Sequence, residues 1–165
     1  MSFFKSDNTN SANSEDPLIT ISAETIATIS GREKFESQII AYESDPSGSD
    51  NIAMVTRANA SDYSKGCKKG LVLVFNKNIK PGTYSVADTA FPFLNAYYFE
   101  TGTRPGDIRS YNYHAKSGVI IVEDARVSSD ELSYKISFDF KGVDKRNRGL
   151  TIKGTSSYLV LSDFE

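Results

Sequence analysis

The chain has 165 residues, 39% of them hydrophobic and 24% charged, with ten Phe, nine Tyr, no Trp, one Cys and one His. This length fits one domain that buries about 68–70% of the surface its unfolded chain exposes, so folding needs neither disulfide nor metal. Lone Cys67 and lone His114 exclude an internal disulfide and a Cys/His zinc site, and a formal net charge of −2 offers no global positive field to nucleic acid, so general nucleic-acid binding is not expected.

The N-terminus reads Met1-Ser2-Phe3-Phe4-Lys5, without the apolar stretch of roughly 7–15 residues that a secretory signal carries. No run of about 18 apolar residues occurs, so no membrane span is expected. The compartment stays open between cytoplasmic, particle-associated and secreted after processing. Ser6 to Pro17 is almost entirely Ser, Asn, Asp, Thr, Glu and Pro, too poor in apolar area to offset the entropy of ordering, so residues 1–17 are expected to form a flexible polar tail. Within it Phe3-Phe4 reads as a fraying end, with an anchor into a partner's groove as the alternative.

One domain is expected over residues 18–165. Ser22 to Ile29 admits a helix, with Ser22 as N-cap and Ile26 and Ile29 on one face, but its Thr and Ile content suits a strand equally. Strands are predicted at Phe35 to Tyr42, Ile52 to Arg57 and Leu71 to Phe75, the last a continuous apolar run that predicts a central strand covered on both sides. A single helical turn is possible over Asn59 to Lys65. Further strands are predicted at Gly82 to Val86, Asn95 to Glu100, Ile108 to Tyr113 and Val119 to Val122, the last again as a central strand. Leu132 to Lys141 alternates Leu132, Tyr134, Ile136, Phe138 and Phe140 with Ser133, Lys135, Ser137, Asp139 and Lys141, the period of a strand with one buried and one wet face. Leu150 to Lys153 and Tyr158 to Phe164 close the series. Turn chemistry at Asp45-Pro46-Ser47-Gly48, Lys80-Pro81-Gly82, Arg104-Pro105-Gly106 and Asn147-Arg148-Gly149 separates the strands. About ten strands with hairpin-length links predict an all-β fold, an antiparallel β-sandwich with at most one short helix.

Pro81-Gly82-Thr83-Tyr84, a Tyr-rich stretch, Ser117-Gly118-Val119-Ile120-Ile121-Val122, Tyr134-Lys135-Ile136-Ser137-Phe138-Asp139-Phe140 and Leu150-Thr151-Ile152-Lys153-Gly154-Thr155 follow one another in the C-terminal half. This order resembles small uncharacterised β-sandwich domains of Bacteroidetes envelope lipoproteins. The chain departs from them in lacking a lipobox cysteine and a Gly before Phe138 and Phe140. The resemblance implies a sandwich and a surface setting, and transfers no functional residue.

Candidate chemistry is sparse. Cys67, with lysines around it, and His114 form a nucleophile pair if Asp107 orients the imidazole, but no supporting motif accompanies them. Glu100, Asp107, Glu123 and Asp124 offer the paired carboxylates of a small hydrolase. Asp45, Ser49, Asp50 and Asn51 make an oxygen-rich loop that a hairpin turn explains as well as a cation does, so no metal and no cofactor is expected. Lys141, Lys145, Arg146 and Arg148 form a basic hairpin loop, suited to an anionic partner or to edge protection. Tyr97, Tyr98, Phe99, Tyr111 and Tyr113, with Arg104, Asp107 and His114, flank one loop; paired as strands they would turn alternate rings outward as a contact platform. The expected function is a non-enzymatic binding or assembly module for a protein or glycan partner, with oligomerisation possible. The alternatives are a paired-carboxylate hydrolase and a cytosolic immunity- or inhibitor-type protein.

Overall fold

A computed structural model describes residues 3–4, 18–59, 68–101 and 109–163. Among them there is no helix. Ten strands make the fold: β1 (Leu18–Ile29), β2 (Phe35–Glu36), β3 (Ile39–Ser44), β4 (Asn51–Asn59), β5 (Lys68–Asn76), β6 (Gly82–Ser85), β7 (Phe93–Thr101), β8 (Ser110–Val127), β9 (Glu131–Val143) and β10 (Gly149–Asp163). The expected all-β antiparallel class is what the chain adopts. The Ser22 to Ile29 segment is strand throughout, because Thr25, Ala27 and Ile29 on alternate positions are buried against the core. The possible turn over Asn59 to Lys65 falls outside the described residues after Asn59, which ends β4.

All pairings are antiparallel within one sheet, ordered β2-β1-β10-β9-β8-β7-β5-β4-β3, with β6 alongside β8. The sheet curls until its two ends meet. β2 on β1 runs directly into β3 on β4, and across this seam Ser37 N–H donates to Thr25 O at 3.0 Å and Gln38 N–H to Arg57 O at 2.8 Å. The facing layers therefore belong to one curled sheet.

Two pairs of predicted strands prove to be single long ones. β8 takes in the Val119 to Val122 strand and the described part of the Ile108 to Tyr113 strand, and bends at register shifts between Ala115 and Ser117 and between Val122 and Asp124. Its first half pairs with β7 and its second with β6. Gly118 sits in this bend at φ 106°, a left-handed conformation that favours glycine. One expectation is corrected here: along this run Ile120 and Val122 point inward and are buried, while Val119 and Ile121 point to the other face and are half-buried, so Val119 to Val122 is covered fully on one face only. β10 likewise joins the Leu150 and Tyr158 segments.

The inner face is packed with Phe35, Phe75, Phe138, Phe140, Tyr98, Tyr134 and Tyr158, so the aromatics that replace Trp fill the space the sheet encloses. Thr25, Thr56 and Ser156 are buried among them in a hydroxyl chain: Thr25 Oγ1 and Ser156 Oγ are 2.6 Å apart, and Thr56 Oγ1 donates to Thr25 Oγ1 at 2.8 Å. Tyr158 lies beside this trio; its hydroxyl makes no hydrogen bond of good geometry, and burial pushes its phenol up to about 12.

β4 and β5 are apolar on both faces, as predicted for Leu71 to Phe75. Ala53, Val55, Val72 and Val74 make a second buried cluster on the outer face, and Phe3 and Phe4 pack on it beside Ala41, Tyr97 and Phe99. Phe3 N–H donates to the Glu43 Oε2 carboxylate oxygen at 2.8 Å. The Phe pair is thus neither fraying nor reaching for a partner's groove: it covers the chain's own sheet, because four buried aliphatics there would otherwise face water.

Candidate functional site

The antiparallel register gathers one set of connections at one end of the curled sheet. The turn after β1, the end of β7, the start of β8 and the β9–β10 hairpin lie together there. Arg32, Arg109, Lys145, Arg146 and Arg148 come from these segments. At the opposite end lie Asp45, Asp50, Asp130 and Glu131. A nearly neutral chain is thereby polarised along its strands, which net charge alone conceals.

The β9–β10 tip is held by one carboxylate. Asp144 Oδ1 accepts the backbone N–H groups of Arg146 at 2.9 Å and Arg148 at 2.8 Å, and Oδ2 accepts Arg148 Nε at 2.9 Å and Nη2 at 2.7 Å. Desolvation pushes the Asp144 carboxyl up, but the Arg148 and Arg146 donors outweigh it, leaving the group below the usual carboxylate range. Asn147 at φ 62° turns the chain back, a conformation Asn tolerates better than most residues. Anchored this way, Arg148 places its guanidinium carbon 5.0 Å from the Tyr111 ring centre, while that of Arg109 is 5.7 Å away. Lys141, Lys145 and Arg146 are exposed and make no ion pair among the described residues.

The β7–β8 hairpin places the aromatic candidates on both faces. Its register pairs Tyr97 with His114, Tyr98 with Tyr113, Phe99 with Asn112 and Glu100 with Tyr111. Tyr98 and Tyr113 point inward and are buried. Tyr97 and Phe99 lie outside and half-buried, with Tyr97 stacked on exposed His114 at 4.8 Å between ring centres. The Phe99 ring lies close over Gly70, where a Cβ would come within 2.5 Å of it. Burial, then the nearby Lys145 charge, holds the His114 imidazole below its ordinary value. Arg104, Asp107 and Cys67 lie outside the described residues, so the Cys67–His114–Asp107 arrangement has no geometry to set beside it.

Glu100 fell into the sequence reading only as one candidate acid among four. Its carboxylate is 3% exposed and takes Arg32 side-on, with Nη2 at 2.8 Å and Nε at 3.0 and 3.1 Å, while the hydroxyls of Tyr98 at 3.2 Å and Tyr113 at 3.4 Å also donate to it. This bond raises the Arg32 guanidinium pKa further, and burial followed by the Glu100 charge raises both phenols. A carboxylate so fully engaged pins the β1–β2 turn to the sheet. Arg32 and Lys69, which is 7% exposed and opposite Glu100 in register, had no signal in the sequence, since their partners are distant along the chain.

Of the other candidate acids, the two within the described residues are engaged too. Glu123 bonds Ser137 and pairs with Lys135 at 3.0 Å, and Asp124 pairs with Arg126 at 2.8 Å. Asp124 and Glu24 both line a shallow groove of about 310 Å³ on the β1–β10–β9 side, walled by Ser22, Ser133, Lys135 and Ser157. In the oxygen-rich loop, Asp45 accepts Ser49 Oγ at 2.5 Å and Ser47 N–H at 2.9 Å, and Asp50 pairs with Lys77 at 2.9 Å, so the turn itself uses these oxygens.

No protein-family model, no curated protein and no solved structure matches the chain. The class is therefore set by its own geometry: an antiparallel all-β domain with a basic, aromatic-supported loop end.

Proposed function

We propose that this chain is a non-enzymatic binding module whose loop end grips an acidic segment of a protein partner. The supporting observation is the pre-organised β9–β10 tip. Asp144 fixes residues 144–148, so Lys145 and Arg146 are presented at little further entropic cost, beside His114 and the Arg109–Tyr111–Arg148 stack. Guanidinium and ammonium groups in such a setting make charge-assisted bonds to carboxylates. A protein is favoured over a glycan because the inward rings of this hairpin are buried or covered by guanidinium groups, and the described groove has serines and charged side chains on its walls. An inhibitor- or immunity-type protein would dock by the same loops. The setting we propose with this reading is a cell envelope or particle surface.

The test is an NMR titration with two probes, a Glu-rich peptide and an oligogalacturonate. The peptide should shift the Tyr111, His114, Lys145 and Arg146 amides. Lys145→Glu with Arg146→Glu should weaken it about tenfold, and added salt should weaken it too. Shifts with the oligogalacturonate alone, or with neither probe, would contradict the reading.

A further inference from the structure

The outer face of β4, β5 and β7 is a second surface, independent of the loop end. Val55, Val72 and Val74 lie in its middle, and among the described residues the side chains that cover them from outside the sheet are Phe3 and Phe4. Phe3 and Phe4 form a two-residue cover, and Phe3 N–H donates to the Glu43 carboxylate at 2.8 Å. Its release would expose a flat apolar patch of the kind that marks protein contact.

The charges that frame the patch indicate what would cover it next. Glu43 stands level with Ala53 at one end of β4, and Arg57 lies on the same face four residues further along, roughly 13 Å away. Arg57 Nε is buried without a hydrogen-bond partner, and the side chain makes no ion pair among the described residues. A twofold axis through Val55 would bring Glu43 of each copy to Arg57 of the other, with the valines stacked between them. Such self-complementarity is what an isologous contact requires.

We propose that this face is a self-association surface for a second copy of the chain, held closed in the monomer by Phe3 and Phe4. Its few residues fall short of the ~800 Å² per partner of a stable complex, so the open dimer is weak and concentration-dependent. Light scattering after size exclusion, from about 10 µM to 1 mM, tests this. The unaltered chain should stay monomeric, while Phe3→Ala/Phe4→Ala and a chain lacking residues 1–4 should double in mass towards the upper concentrations. Adding Arg57→Glu should return the double variant to monomer, and adding Glu43→Arg to that should restore the dimer. Phe4→Ala alone gives the same reading should the double variant lose its native circular dichroism. An open variant that keeps its native spectrum and stays monomeric at 1 mM, or a dimer indifferent to Arg57→Glu, would overturn the proposal.

Discussion

β9 and β5 are both strands of the same sheet, yet they solve opposite problems. β9 alternates, with Tyr134, Ile136, Phe138 and Phe140 buried and Lys135, Asp139 and Lys141 exposed. β5 is buried at every position from Lys69 to Phe75. In a sheet curled around one core, only the inner face is covered by the fold itself. A strand apolar on both faces therefore signals that something outside the sheet lies on it, and among the described residues that is the Phe pair from the chain's own N-terminal segment. The lesson is that a continuous apolar run identifies full burial without identifying the cover.

The largest expected effect tests the alternation in β9. Phe140→Ala should cost ~3–5 kcal/mol in denaturant unfolding, whereas neighbouring Lys141→Ala should stay within ~0.5; equal effects would break the inner–outer assignment. Next, Arg32→Ala should destabilise by ~3 kcal/mol, since among the described residues it leaves the buried Glu100 carboxylate with two phenol donors and no cation bonded to it. Sharper still for β5, Val72→Thr should cost ~1–2 kcal/mol by burying an unpartnered hydroxyl, against less than ~0.5 for the outward Ser137→Ala on β9. Were Val72 bathed in water, the two would match.

The smallest effect is a pH dependence. Because His114 titrates below its ordinary value in the folded chain, the unfolded chain takes up its proton first as pH falls. Stability should therefore be unaffected above the ordinary histidine range and decline as pH drops through it. His114→Gln should flatten that decline, and Lys145→Ala should raise the His114 midpoint followed by NMR, without restoring the full ordinary value because burial is the larger cause.

Much of this fold was legible. The period-two pattern of Leu132 to Lys141 and the turn residues around Asp45 and Asn147 mark strand and hairpin directly, because these signals are local. The seam between β2 and β3, the Arg32–Glu100 pair and the polarised charge ends were not, since each depends on residues far apart in sequence meeting through topology. The continuity of β8 was hidden by Lys116-Ser117-Gly118, which reads as a break and is a bend. The Phe3-Phe4 pair was visible, but its place was not, because its polar flank gave no hint of a destination on β4 and β5. Of the aromatic candidates, the sequence located the hairpin; only the register showed that Tyr98 and Tyr113 face the core while Tyr97 and Phe99 face out.

The most direct test of the two-faced strand is a nuclear Overhauser measurement on methyl-labelled protein. Phe3 and Phe4 ring protons should show cross-peaks to the Val55, Val72 and Val74 methyls, with those methyls shifted upfield by the rings. Absence of these cross-peaks, with random-coil shifts for both phenylalanines, would contradict the account.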